Sequence, residues 1–471
     1  MLFDEVRKAF DTAAEWLHTK QKFTADMLAE KPAQNLMQAT NDVLQQAVSR
    51  GITHEVPEEL TAALEQNTFI FSGFKTYHEL REASTLLKDE NGGFKPFERF
   101  LSDVQKINNT YNRNYLQAEY NHAVQSTQMA VKWHDFEQDG DRYDLQYRTA
   151  NDGKVREEHA ILHNTTLPPS DPFWDKYLPP NGWNCRCTVV QVRKGKYPTS
   201  DPELAMQRGD NCTAKPKQQM FRFNPGKSMK VFPEKHPYLP KGCGNCSLKL
   251  AYSKNSDVCQ ACKAIANIAK EKQERIRQNR AEYERLKADH DYKDVKFDPK
   301  TGGLKATHVG HIDHTNEKSI FMGLNPTQLE NACQNQLFRM GHSAVFCDES
   351  IQTKKGENDT SLDLLLDGKR MDIASVTKDV INYRNVFNGK NSQLHRYNHL
   401  EYVDEKADAV CFYFHEPKMF SEQKVYDGMQ RLKEMKYIDA ETGKEKSPNV
   451  IIKHVYCVVR GSDKLHKYDF E

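Results

Sequence analysis

Apolar residues return every three or four positions through roughly the first 135 residues, the period of a helix with one buried face. Leu2, Val6, Phe10, Ala13 and Leu17 form one such stripe; Phe100, Val104, Ile107, Tyr111, Tyr115 and Ala118 form a longer one. The pattern predicts an amphipathic helix bundle. It breaks after residue 140. Residues 143–149 and 188–192 read as short strands, and between them Pro168, Pro169, Pro172, Pro179, Pro180 and Gly182 exclude regular structure. Phe173, Trp174, Tyr177 and Trp183 in that stretch favour an ordered loop over a tether, because disordered segments are poor in large apolar groups. Residues 264–290 return to helical spacing, but only Ile265, Ile268, Ile276, Tyr283 and Leu286 are large and apolar. With Glu271 four residues before Arg275, the segment reads as a charged connecting helix.

Residues 298–325, with Gly302, Gly303 and Gly310, read as a loop. Beyond them the pattern alternates. Asn325 is placed to cap a helix with Pro326 at its first position and Gln328 at its third. Leu329, Cys333, Leu337 and Met340 form the stripe of that helix, and Gly341 ends it. Residues 344–348 read as a strand, and 362–366 with 369–374 as a hairpin about Asp367-Gly368. Residues 409–415 read as a buried strand, 421–436 as a helix and 450–459 as a final strand, giving an α/β (α+β) C-terminal domain.

A length of 471 residues allows about three domains. Basic and acidic residues balance at 67 to 66, so overall charge does not mark a nucleic-acid binder. The N-terminus lacks the basic start and apolar stretch of a signal peptide, and no apolar run approaches the roughly 20 residues that span a bilayer. The expectation is a chain made in the cytoplasm and soluble there, with no membrane span. Eleven cysteines in such a compartment favour metal ligands or buried thiols over disulfides.

The proline-rich stretch carries an ordered motif: Arg156 with His159, then Leu167-Pro168, the run from Asp171 to Asp175, and Pro179 to Cys187 ending Cys-Arg-Cys. It resembles the signature of the phage Mu F-like head morphogenesis family. The resemblance extends less specifically over about residues 70–195. It implies a minor capsid protein of a tailed phage or prophage. Such a protein works in head assembly, DNA packaging or delivery, with portal, capsid or scaffold proteins as partners and the phage head (virion) as destination.

Two sets of residues suit zinc. His159 and His163 are four apart, and Cys185 with Cys187 lies in a turn able to face them; two imidazoles and two thiolates suit tetrahedral zinc. The alternative is that His159 bonds the loop and the thiols are simply buried. Cys243 with Cys246 and Cys259 with Cys262 form two Cys-x-x-Cys turns twelve residues apart, able to deliver four thiolates to a structural zinc in a small knuckle module. Redox-active or buried thiols are the alternative there.

In the C-terminal domain, a two-residue hairpin register opposes Asp363 and Asp372 on one face, leaving Leu362, Leu364, Leu366, Met371 and Ile373 for the core face. Opposed carboxylates need a cation between them, and magnesium would relieve the repulsion and activate water. Glu330 is a candidate third ligand, and Arg370 offers a solvated Asp–Arg–Asp surface instead. The order of helix with Glu, hairpin with two acids and basic segment is similar to PD-(D/E)xK-like and related toxin nucleases. Their lysine position is Ala374 here, with Lys378 a substitute from the next turn. A metal-independent ribonuclease would use His395 with Lys390 and Arg396.

The chain is therefore expected to be multidomain. Residues 1–195 form a mainly helical Mu F-like head domain with a small β/loop element. Residues 196–263 form a loop-rich region with the zinc module, 264–295 a connecting helix, and 296–471 an α/β domain. The function expected is a minor capsid protein carrying a nuclease effector. The alternative is a polymorphic-toxin nuclease using the head module for delivery, with a nucleic acid and an immunity protein as further partners.

Overall fold

A computed structural model describes residues 3–240, 257–299, 301–313, 318–349, 361–400, 403, 405–438, 445–462 and 465–470. About half of it is helical. It divides into two compact units, Met1–Ala269 and Lys270–Glu471, each with its own core.

The first unit opens on helices α1 (Asp4–Lys20), α2 (Lys31–Gly51), α3 (Glu58–Ser84), α4 (Phe97–Asn109) and α5 (Leu116–Asp139). Their stripes close one apolar core, with Val6, Phe10, Leu17, Phe100 and Val104 all fully buried. Helices α4 and α5 are joined by a π-helical turn, Thr110–Tyr115. That turn adds a residue to the winding, so the buried face passes from the expected Tyr115 and Ala118 to Leu116 and Glu119. Tyr115 is left 48% exposed.

After α5 the chain forms a three-stranded sheet, in which β1 (Tyr143–Arg148) pairs antiparallel with β2 (Thr166–Leu167) and β3 (Thr188–Arg193). Short helices α6 (Glu157–Ala160) and α7 (Phe173–Tyr177) lie between the strands. Helices α8 (Pro202–Cys212) and α9 (Pro225–Ser228) follow. The proline-rich stretch is a platform: Phe173, Trp174, Tyr177 and Leu178 are fully buried in one cluster with Met129, Trp133 and Phe136 of α5. Trp174 donates its indole N–H to the Pro168 carbonyl at 3.1 Å, and the Tyr177 hydroxyl donates to Asp210 at 2.7 Å. Gly209 is required where α8 meets α7, because a Cβ there would stand 2.4 Å from the Tyr177 ring.

Helix α10 (Asp257–Ala288) contains the unit boundary and starts earlier than residue 264. The second unit is an eight-stranded mixed sheet in the order β13-β12-β9-β8-β7-β6-β5-β4. Its strands are β4 (Tyr292–Phe297), β5 (Leu304–His308), β6 (Ser343–Phe346), β7 (Leu364–Leu366), β8 (Lys369–Ser375), β9 (Ala409–Phe414), β12 (His454–Val459) and β13 (Leu465–Asp469). A separate ribbon pairs β10 (Tyr437–Ile438) with β11 (Glu445–Lys446). The expected 298–325 loop thus contains β5, which pairs parallel with β6.

Helix α11 (Pro326–Arg339) packs Leu329, Cys333 and Leu337 against one face of the sheet. Helices α12 (Arg384–Asn398) and α13 (Glu422–Lys433) cover the other through Phe387, Leu394, Val425 and Leu432. Both faces of β8 and β9 are therefore buried, as a central parallel pair requires. No described helix is long and apolar enough to cross a membrane.

Candidate functional site

Two clusters of chemistry-bearing side chains stand out, one in each unit. In the first unit, His159 follows Arg156 into α6, and Cys185 and Cys187 sit in the turn that leads into β3. Cys185 and Cys187 each place Sγ 3.6 Å from His159 Nδ1. Donor atoms of these three buried residues all lie within 4.8 Å of one another, and among the described residues they form the group able to hold a metal ion. A nitrogen at about 2.0 Å and a sulfur at about 2.3 Å from a tetrahedral zinc lie about 3.5 Å apart, so the separations fit.

His163 is not in this group. Its Nδ1 accepts from the Thr149 amide at 3.1 Å, since α6 ends at Ala160 and helical spacing does not carry on to residue 163. Electrostatics bind the two thiols into a pair. The Cys187 thiol's hydrogen bond to Cys185 holds the latter well below its ordinary value despite burial, with His159 helping. Cys187 is raised correspondingly. Arg156 donates to the Trp183 carbonyl at 2.5 Å, and its Nη1 stands 3.5 Å from His159 Nε2. Arg186, between the two cysteines, points outward to Asp152 at 2.6 Å.

Of the Cys-x-x-Cys pairs, Cys243 and Cys246 lie outside the described residues. Cys259 and Cys262 lie on the first turns of α10 rather than in a free-standing turn. Cys262 is buried against the helical core of the first unit.

In the second unit, the hairpin register is as expected: Leu364, Leu365 and Leu366 pair with Met371, Arg370 and Lys369 about Asp367 and Gly368, both at positive φ. Asp363 and Asp372 are brought across from one another, and the Ile373 amide donates to Asp363 Oδ1 at 2.9 Å. Neither faces solvent. They are 7% and 5% exposed, so the solvated Asp–Arg–Asp surface does not form. The one-sided hairpin failed as an expectation because α12 covers the face that carries the acids.

Lys390 of α12 reaches in and pairs with Asp372 Oδ2, and Gln393 donates to Asp372 Oδ1 at 3.1 Å. Burial raises both aspartates above the usual carboxylate range. For Asp363 the nearby charges of Asp372 and Glu330 raise it further, and Lys390 opposes. Glu349 stands beside the cluster, with Oε2 2.7 Å from His311 Nδ1 and accepting from the Ile312 amide at 2.9 Å. Burial pushes Glu349 up, and the hydrogen bonds from His311 and the Ile312 amide together with the His311 charge lower the group overall.

Glu330, Asp363 and Asp372 thus share one electrostatic environment without their oxygens meeting as a metal-holding group. These residues do not fit magnesium, because a lysine already occupies Asp372. Lys378 lies exposed in the coil after β8. His395 points to the Asn449 carbonyl at 2.7 Å, and Arg396 is exposed. Lys390, His395 and Arg396 do not converge, because positions five apart on a helix lie about 140° apart around its axis. Sequence reasoning missed Lys390 as the partner of Asp372, 18 residues away.

Comparison with known proteins places the first cluster. Residues 38–190 match the family described as Phage Mu protein F like protein. Over 166 residues the chain is 28% identical to the protein named as capsid assembly protein F in Escherichia phage Mu, covering 34% of this chain and 32% of that protein. The Mu-like prophage FluMu F protein of Haemophilus influenzae is 38% identical over 68 residues, covering 13% of this chain and 16% of that protein. The chain thus spans about a third or less of the length of these curated relatives. No solved structure matches it. His159, Cys185 and Cys187 fall inside the family match, whereas the whole second unit falls outside it.

Proposed function

We propose that this chain, which belongs through residues 38–190 to the Phage Mu protein F-like family, is a minor head protein of a tailed phage or prophage. It would act in capsid assembly, DNA packaging or delivery, with portal, capsid or scaffold proteins as partners. The observation that carries the reading is the family match over the helical core and the platform of Phe173, Trp174 and Tyr177 packed on α5. Its buried aromatic side chains anchor the proline-rich stretch on α5, so the residues it exposes are positioned better for partners than those of a loose loop. The test is to purify mature heads from the induced prophage and probe them with an antibody to residues 1–240. The chain is expected in intact heads at low copy. Heads that assemble, package DNA and lack the chain would defeat the proposal.

A second reading, that residues 270–471 cleave a phosphodiester, is favoured by one observation. Asp363 and Asp372 stand together under Lys390, which pairs with Asp372, and Glu330 and Glu349 lie within electrostatic range of Asp363. Lys390 would stabilise charge developing on a phosphate, and an immunity protein would be needed if the unit is delivered as a toxin. The full chain is tested on RNA and on DNA, with and without magnesium, beside Lys390→Met and Asp372→Asn. Cleavage lost in both variants supports the reading; a wild-type chain inert on both nucleic acids ends it.

A further inference from the structure

The platform cluster contains a third thiol. Cys212, the last residue of α8, is fully buried in the same apolar cluster as Cys185 and Cys187. Helix α8 packs on α6 and α7, which brings its C-terminal end towards the His159 segment. Cys212 lies within electrostatic range of both Cys185 and Cys187. It stands outside the group whose donor atoms lie within 4.8 Å of each other. Entry of Cys212 into that group takes a movement of its side chain, and a change of staggered χ1 rotamer moves a cysteine sulfur by about 3 Å.

We propose that Cys212 joins His159, Cys185 and Cys187 as the fourth ligand of a structural zinc site built from three thiolates and one imidazole. Three facts argue for a metal over three idle thiols. First, both Cys185 and Cys187 converge on the same nitrogen, His159 Nδ1, at 3.6 Å. One imidazole nitrogen makes one good in-plane hydrogen bond, whereas a metal between the three atoms uses both sulfurs. Second, the site's charge is answered. Three thiolates, one imidazole and a zinc dication sum to a single negative charge, and Arg156 and Arg222 both act on Cys212. Zinc at Nδ1 leaves the proton on Nε2, so the Arg156 Nη1 that stands 3.5 Å from Nε2 must turn from it, while the Trp183 carbonyl keeps the guanidinium near as a counter-charge.

Third, the ligands come from three separate places: His159 of α6, the Cys185–Cys187 turn and the end of α8. A zinc would tie these to one point in the apolar cluster that also buries Trp174 and Tyr177. Four protein ligands close the coordination sphere, so the site is structural and holds no position for substrate. Neither functional reading is needed for the site to form.

The test uses the full chain carrying Cys259→Ala and Cys262→Ala, which removes the other described cysteine pair as a source of zinc. Elemental analysis after exposure to zinc and desalting is expected to find about one zinc per chain. Zinc-edge X-ray absorption is expected to fit three sulfurs and one nitrogen. Two sulfurs with nitrogen and oxygen would remove Cys212 from the site, and absence of bound zinc would remove the site altogether. In the same background, Cys212→Ser is expected to weaken zinc retention against a chromophoric chelator at least ~100-fold, at or beyond the ~10–100-fold seen when an outer partner is lost. Unchanged retention would also overturn the proposal. Because absorption is read on the parent protein, a poorly folding Cys212→Ser leaves the conclusion decidable.

Discussion

Lys75 is fully buried in the middle of α3, and its removal gives the sharpest test of how the helical core is held. Its ammonium donates to Glu119 Oε2 at 2.7 Å and to the Tyr111 carbonyl, in the π-helical turn, at 2.7 Å, and lies 4.0 Å from Glu79 Oε1. Lys75→Met keeps the volume and removes the charge. It leaves Glu119 in a site where burial already raises its pKa and where Lys75 is the main opposing influence. The stranded carboxyl escapes by binding a proton. Holding a group of ordinary value 4.5 protonated at pH 7 costs about 3 kcal/mol, at about 1.36 kcal/mol per pH unit. That agrees with the ~3–5 kcal/mol expected when one partner of a buried pair is removed. At pH 5 the same protonation costs under about 1 kcal/mol.

The variant should therefore lose about 3–5 kcal/mol at pH 7 and much less at pH 5. Lys75→Met with Glu119→Leu should recover most of the loss. Urea unfolding followed by tryptophan fluorescence reads this cleanly, since all four tryptophans lie in the first unit. An equal loss at both pH values, or a loss below about 1 kcal/mol at pH 7, would refute the account of a charge-compensated core.

Three further outcomes are expected. Gly209→Ala should cost about 1–3 kcal/mol in the same urea assay by driving a methyl into the Tyr177 ring, and Tyr177→Leu should relieve part of it. Asp363 is raised by burial and by Asp372, so the folded second unit holds its proton more tightly than the unfolded chain; stability from this group is greatest at low pH and is lost as pH rises past 3.8. Thermal unfolding of that unit, read by backbone hydrogen exchange on β7 and β8, should show that slope in the wild type and a flatter one in Asp363→Asn. Asn325→Ala should cost about 1 kcal/mol in the same measurement, because the Asn325 side chain accepts from the Gln328 amide at 2.9 Å while Gln328 reaches back to the Asn325 amide.

How much of this was legible depended on how local the cause was. The α11 cap, the Asp367-Gly368 turn and the hairpin register are short-range patterns and stand as read. The stripe from Phe100 held until Ile107 and then slipped by a residue, because a π turn has no signature in apolar spacing. Helix α12 went unread because a polar residue, Asn391, stands on its buried stripe beside Phe387, Leu394 and Tyr397. Asn391 is there because it donates to the Asn449 carbonyl and accepts from the Ile451 amide, a tie to a segment some 60 residues on. Strand β4 carries a bulge and Asp294 at positive φ, which broke the alternation that marks a strand.

The same distinction separates the two clusters. Periodicity suggested His163 as a zinc ligand, and the short α6 denied it, while Cys212 carries no spacing signal at all. Lys390 likewise stands 18 residues from Asp372. What fills each cluster follows from what closes its charge. The carboxylates of the second unit already have a cation of the chain's own, in Lys390, so a metal ion there must first displace a buried ion pair. The thiols of the first unit have Arg156 and Arg222 in range, but those guanidiniums hydrogen-bond to Trp183, Thr213 and Asp210 rather than to sulfur. A site that supplies soft donors and leaves its centre to an ion from outside is the better metal site, which is why zinc is argued for the platform and magnesium is not argued for the hairpin.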